Sequence, residues 1–106
     1  MAKFMLEVRY TAEGAGGLLK DGGTARVEAA RKAIEGAGGR LESFYFAFGD
    51  VDAYVVCDFP NEASAAAVAL TVSAGGGVTA KTVSLLDPKT VDEARDLNVP
   101  YKPPGS

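Results

Sequence analysis

The chain contains no histidine among its 106 residues, and this absence removes several kinds of chemistry at once. Histidine is the usual general base of catalytic triads, the commonest transition-metal ligand and the side chain that titrates near neutral pH. Any catalysis would have to use carboxylates, tyrosine, lysine, arginine or cysteine. The acidic residues are scattered and lack the spacing of a calcium loop. We therefore expect no metal site and no cofactor, and we assign no catalytic residue.

Cysteine and clustered positive charge are also scarce. Cys57 is the single cysteine, which excludes an internal disulfide and fits a reducing compartment. The net charge is −3, and no run of lysine or arginine is longer than a neighbouring pair. Nucleic-acid binders carry a basic footprint instead, so we do not expect DNA or RNA as a partner.

Long apolar runs are missing as well. No stretch approaches the length of a membrane span, and Glu7 and Arg9 interrupt the first apolar segment where a signal peptide needs continuity. A cytoplasmic protein without membrane contact is the simplest interpretation. Hydrophobic residues still make up 47% of the chain, enough for the core of one domain. We place that domain at residues 1–97 and a proline-rich C-terminal tail at residues 98–106.

The order of apolar patterns predicts a strand, a helix, a hairpin, a second helix and a last strand. Alternation over residues 3–10 puts Phe4, Leu6, Val8 and Tyr10 on the core side of the first strand. The remaining predicted elements are a broken, glycine-rich segment at 11–23 that Thr11 can cap, a helix from 24 to the glycines at 36–39, hairpin strands at 41–48 and 51–59, a helix that starts at 60–62 and ends at the glycines at 75–77, a strand at 78–86 and a short polar helix from 87 to about 96.

The hairpin has Gly49 and Asp50 as its two central turn residues, which suits a type II′ turn. A two-residue turn also fixes the register, and it places Tyr45 beside Tyr54 on the side away from the core. The core-side pairs are then Phe48 with Val51, Phe46 with Ala53, Phe44 with Val55 and Glu42 with Cys57, while Ala47 with Asp52, Ser43 with Val56 and Leu41 with Asp58 face the other side.

This element order is the split βαβ pattern, and it predicts an α+β, ferredoxin-like βαββαβ fold with a four-stranded antiparallel sheet. Both helices would cover one face, and the other face would be bare. The bare face would carry Glu7, Arg9, Tyr45, Asp52, Tyr54 and Val56. That mixture is too apolar to leave wholly to water, so we expect a second copy of the chain to cover it in a homo-oligomer.

Three segments resemble the GYD-domain family of small bacterial proteins: TAEGAGGLLKDGG, GAGGRLESFYFAFGDVDAYVV and FPNEASAAAVAL, which precedes a glycine run. The resemblance covers roughly residues 3–86 and implies a relation to the dimeric α/β-barrel group, in which two ferredoxin-like protomers close their sheets face to face. The hairpin motif of the family often reads Gly, acidic, Tyr, Asp. Gly49, Asp50 and Asp52 match it, whereas Val51 replaces the tyrosine, so no role of that hydroxyl is carried over. The family has no settled activity.

Two functional classes stay open. In the first, the protein is an oligomer that binds a small molecule or docks another protein. In the second, it is a cofactor-free isomerase or monooxygenase, a hypothesis with fold analogy alone behind it. The predicted ligand site is the bare sheet face at Arg9, Tyr45, Asp52 and Tyr54, and not the glycine segments. The alternative for these side chains is packing against the partner copy. For Cys57, the core interpretation outweighs a nucleophile, because the residue sits on the core side of its strand.

Overall fold

The computed structural model describes every residue from Met1 to Ser106. It contains β1 (Ala2–Tyr10), α1 (Ala12–Asp21), α2 (Gly23–Gly36), β2 (Arg40–Phe46), β3 (Ala53–Phe59), α3 (Glu62–Ala74), β4 (Val78–Leu85) and α4 (Pro88–Arg95). The strands form one antiparallel sheet in the order β2-β3-β1-β4. The predicted α+β fold with ferredoxin-like order is therefore confirmed.

The core lies on one face of this sheet. Alternating residues of β1 and β3 are buried there, as the period of two requires. Ile34 of α2 and Ala65 and Val68 of α3 join the same buried cluster. Both helices therefore cover the same side of the sheet, and the opposite side, called here the open face, is left without a helix.

Residues 12–21 form a continuous helix, so the prediction of a broken segment is wrong there. Glycine lowers helix propensity, but tertiary contacts offset this cost. The predicted cap at Thr11 is confirmed: its side-chain oxygen accepts a hydrogen bond from the N–H of Gly14 at 3.1 Å. The backbone N–H of Thr11 also donates to the carbonyl of Gly77 at 3.0 Å. A positive φ of 87° at Gly22 then separates α1 from α2.

The hairpin confirms the predicted register beside the turn but not the turn itself. Tyr45 pairs with Tyr54, and the N–H of Ala47 donates to the carbonyl of Asp52 at 2.8 Å. Phe48 is fully exposed, so it makes no core-side pair with Val51. Gly49 lacks the positive φ that a type II′ turn needs at that position, and the two-residue turn was wrong.

At the end of the hairpin away from the turn, a β-bulge at Glu42 makes the observed pairing differ from the predicted one. Leu41 pairs with Cys57 and Ser43 with Val56, so Glu42 has no partner in the ladder. The predicted pairs of Glu42 with Cys57 and of Leu41 with Asp58 are therefore wrong. The physical reason is burial: the extra residue turns Leu41 into the core and spares the Glu42 carboxylate from it.

The end of the chain projects away from the sheet. All residues of the C-terminal arm, defined as 86–106, are exposed. The radius of gyration is 16.9 Å, whereas a compact domain of this length has a value of about 13 Å. The arm nevertheless carries large apolar side chains, namely Leu86, Val91, Leu97, Val99 and Tyr101. None of the helices is both long and apolar enough to cross a membrane.

Candidate functional site

The centre of the open face is apolar. One row of cross-strand neighbours runs through all four strands, from Val83 through Met5 and Val56 to Ser43. Its three apolar members, called here the apolar row, are only half-buried, and no other element of the chain covers them. This row is the part of the open face that gains most from contact with a partner.

The neighbouring row carries charge and two aromatic rings. It runs from Lys81 through Glu7 and Tyr54 to Tyr45. The tyrosines stand side by side, as the sequence predicted, and they are 39% (Tyr54) and 71% (Tyr45) exposed. Glu7 and Lys81 are cross-strand neighbours of opposite charge, yet neither takes part in an ion pair within 4.0 Å. Both charges are thus free to pair with groups outside the chain.

Arg9 and Asp52 lie one step further along the sheet. Arg9 is exposed, stands opposite Thr79 and has no ion pair. Asp52 is already engaged, because its Oδ2 accepts a hydrogen bond from the backbone N–H of Tyr10 at 2.8 Å. The structure therefore brings Arg9, Tyr45 and Tyr54 to neighbouring positions on the open face, whereas one oxygen of Asp52 serves the backbone. Ligand binding by these four residues stays a prediction.

At the other end of the open face, four charged residues form a cluster that the sequence did not predict. Nζ of Lys3 lies 2.8 Å from the Glu42 carboxylate and 3.1 Å from that of Asp58, and Nη2 of Arg40 lies 3.4 Å from Asp58. Burial alone would raise the pKa of the Asp58 carboxyl, but the hydrogen bond and charge of Lys3, with those of Arg40, hold that pKa below its ordinary value. Lys3 and Arg40 meet Asp58 because both are its ladder partners, and Glu42, the unpaired residue of the bulge, joins them through Lys3.

The residues of the family hairpin motif differ in what they contact. Asp50 is exposed and makes no side-chain hydrogen bond, and a Cβ at Gly49 would meet nothing within 4 Å. Val51, which stands where the family has tyrosine, is 5% exposed but lies outside the main buried cluster. Asp52 alone of the matching residues holds another strand in place. The motif thus has a structural explanation at one position.

Cys57 is fully buried in β3. Burial, together with the neighbouring Asp58 charge, raises the pKa of its thiol to about 11. The thiolate is the nucleophilic form, so this residue is not an activated nucleophile near neutral pH. The core interpretation of Cys57 is confirmed. No three or more Cys, Asp or Glu side chains are grouped as the ligands of a metal ion would be.

A cavity of about 400 Å³ lies on the helix-covered side of the sheet, between α1, α2 and the end of α3. Its walls include Tyr10, Asp21 and Arg26, together with the backbone of several glycines. Sequence reasoning did not single out Tyr10 and Arg26 as a pair. Two features of the sequence could have indicated this pair. Tyr10 ends the first strand on its core side, and Arg26 precedes Val27, which belongs to the apolar stripe of the following helix.

An α+β protein with one covered sheet face and one open face is the class that this fold defines. The family model described as GYD domain matches residues 4–94, and the chain belongs to the GYD-domain family. The resemblance seen in the sequence is thereby confirmed. Comparison with curated proteins and with solved structures finds no match.

Proposed function

We propose that this GYD-domain protein works as a homodimer that binds a small molecule between the open faces of its two sheets. The observation that carries the proposal is the apolar row of Met5, Val56 and Val83, which is half-buried and has no cover within the chain. A second copy of the same face supplies an apolar surface of matching shape and position.

The accessible surface of the chain is large enough to include an interface with a second copy. Its accessible surface is 7219 Å², whereas a compact monomer of the same mass exposes about 5,600 Å². The excess of about 1,600 Å² exceeds the roughly 800 Å² that each partner contributes to a standard protein interface. The C-terminal arm, exposed along its whole length, contributes to this excess.

The charges on the open face favour a copy of the same chain over a partner of one charge sign. The cluster around Lys3 and Asp58 contains two cations and two anions, and the row beyond the apolar row contains Glu7 and Lys81 without ion pairs. In a twofold arrangement, such a mixture lets each charge meet the opposite charge of the other copy. A face of a single sign would instead repel itself.

The ligand site in this proposal is the aromatic end of the open face. Tyr45 and Tyr54 offer two neighbouring rings, and Arg9 offers an unpaired cation one step along β1. Aromatic walls with one cation suit a planar organic acid, which stacks on the rings and pairs with the guanidinium. Closure of the second sheet over these residues would shield that pairing from water.

Light scattering on the purified chain tests the dimer. We expect at least twice the monomer mass of 10.9 kDa at micromolar concentration. Val56→Lys places a charge in the apolar row and should yield a folded monomer, because burial of an unpaired lysine opposes association. Leu70→Lys is the matched control, since Leu70 is an exposed apolar residue on the helix-covered side, and it should stay dimeric. A monomeric wild type would overturn the proposal.

An aromatic sulfonate dye, 1-anilinonaphthalene-8-sulfonate, serves as a probe of the ligand site. Arg9→Ala should weaken dye binding at least fivefold while the mass stays dimeric, and Tyr54→Phe should have a smaller effect. Arg31→Ala, on an outer helix surface where Arg31 contacts Glu28, should bind like wild type. If Arg9→Ala instead lowers the mass and leaves the dye affinity of the remaining dimer unchanged, Arg9 is an interface residue and the site assignment is wrong.

A further inference from the structure

The helix-covered side of the sheet holds two buried polar atoms without a partner. The hydroxyl of Tyr10 and Nε of Arg26 are both inaccessible to solvent and make no hydrogen bond. Arg26 also has no carboxylate within 4.0 Å. Buried donors are normally satisfied, so two orphan donors in one place indicate a missing acceptor.

The side chains that carry the two orphan donors, Tyr10 and Arg26, line the cavity of about 400 Å³, while the two donor atoms themselves are closed to solvent. This volume falls within the range of small-molecule pockets. Part of the wall is glycine backbone, because α1 passes very close to the loop before β4: a Cβ at Gly14 would lie 1.8 Å from the carbonyl oxygen of Gly77. The glycines that line the cavity are Gly14, Gly17, Gly22, Gly75 and Gly77.

A second hollow of about 70 Å³ adjoins the cavity and reaches towards the core. Eleven of its twelve lining residues are hydrophobic, and Arg26 is the exception. The two spaces share Tyr10, Arg26, Ala29 and Val72, so the two side chains with orphan donors lie at the boundary between the cavity and the apolar hollow. The hollow exists because α2 presents the small side chains of Ala29, Ala30 and Ala33 to the sheet.

The Asp21 carboxylate limits the negative charge that a ligand in the cavity can carry. It lines the outer cavity and has no cation within 4.0 Å. A ligand with two negative charges would be repelled by this carboxylate, whereas a single negative charge directed at Arg26 avoids most of that cost. Phosphate and its monoesters therefore fit less well than a monocarboxylate.

We propose that this cavity binds a small monocarboxylate with an apolar body. The carboxylate accepts hydrogen bonds from Arg26 and from the hydroxyl of Tyr10, and the apolar part fills the adjoining hollow. The site lies on the opposite side of the sheet from the proposed dimer contact, so ligand binding in the cavity does not depend on whether the protein is a dimer.

Backbone amide NMR shifts during titration with phenylacetate and, separately, hexanoate test the proposal. We expect saturable shifts that centre on residues 10–26 and 71–78, with 2-phenylethanol at least tenfold weaker because it lacks the charge. Inorganic phosphate should produce no such shifts. If neither carboxylate binds up to about 20 mM, which corresponds to negligible affinity, or if phosphate binds as well as they do, the proposal is wrong.

Substitutions at Arg26 and Tyr10 test whether these two side chains bind the carboxylate. Arg26→Gln should weaken phenylacetate at least tenfold, and Arg26→Lys, which keeps the charge but not Nε, should fall between it and wild type. Tyr10→Phe should weaken binding about threefold or more without lowering the thermal midpoint, because the lost hydroxyl has no partner in the fold. Arg9→Gln removes an arginine from the open face and is the control. Shifts that survive Arg26→Gln in a folded variant would overturn the assignment.

Discussion

Asp52 is bonded to the end of β1 through Tyr10: its Oδ2 lies 2.8 Å from the backbone nitrogen of Tyr10. The backbone N–H of Asp52 also donates to the carbonyl of Val8 at 2.8 Å. These two bonds continue the pairing of β1 and β3 past the last ladder pair, between Val8 and Ala53. The hairpin turn is thereby attached to the strand whose terminal tyrosine lines the helix-side cavity.

The two aspartates of the hairpin motif should therefore differ in their effect on stability. Asp52→Ala leaves the Tyr10 N–H without its charged acceptor and should lower the free energy of unfolding by about 1 to 2 kcal/mol. Asp50→Ala removes an exposed carboxylate that makes no hydrogen bond and should change it by less than about 0.5 kcal/mol. Urea denaturation measures both. Equal losses in the two variants would contradict this account of the motif.

Acid should destabilise the protein through Asp58. Its pKa is lower in the folded state than in the unfolded chain, so the carboxylate stabilises the fold above about pH 4, and this contribution is lost as the pH falls through the folded value. Asp58→Asn should lower stability at pH 7 by about 1 to 2 kcal/mol and flatten the acid limb. Glu35→Gln, which removes an exposed carboxylate without an ion pair, should leave that limb as in wild type. Chemical denaturation from pH 2 to pH 7 gives both curves.

Alkaline pH should destabilise the protein through Cys57. Its thiol pKa rises from 9.0 to about 11 on folding, so the unfolded chain loses this proton first. The stabilising contribution is complete below pH 9 and disappears as the pH rises to about 11, a loss of roughly 2 to 3 kcal/mol. Lysines and tyrosines titrate in the same range, and the difference between wild type and Cys57→Ala isolates the thiol. A constant difference across this range would refute the assignment.

Two glycines of α1 should respond in opposite directions to the same substitution. Gly14→Ala directs a methyl group at the carbonyl oxygen of Gly77 and should destabilise the fold by about 1 to 3 kcal/mol. At Gly16 a Cβ meets nothing within 4 Å, so Gly16→Ala should stabilise the helix by roughly 0.5 to 1 kcal/mol. Thermal denaturation separates the two. Stabilisation by both alanines would show that α1 does not pack against the loop before β4.

Much of the sheet followed from the sequence because it depends on alternation. The side chains of β1 and the pairing of Tyr45 with Tyr54 needed only a period of two and an approximate turn position. The bulge at Glu42 could not be predicted in the same way. One inserted residue leaves the local pattern intact, and the choice between burying Leu41 and burying Glu42 is made by the whole core.

The helix α1 and the cavity depend on contacts between distant segments. Three glycines in Ala12–Asp21 argue against a helix locally, whereas the contact of Gly14 with Gly77 requires glycine at that crossing. The cavity is a space that neighbouring elements fail to fill, and no single segment encodes it. Tyr10 and Arg26 became a candidate pair only when the fold placed both on its wall.

The burial of Cys57 has a practical consequence for labelling experiments that test the proposed dimer. Because the side chain is fully enclosed and its thiol stays protonated at neutral pH, native protein should react with maleimide dyes as though it had no cysteine. One cysteine introduced at an exposed position such as Phe48 would then carry the only label. In a dimer the two copies of that label report a single intermolecular distance, and the natural cysteine need not be removed first.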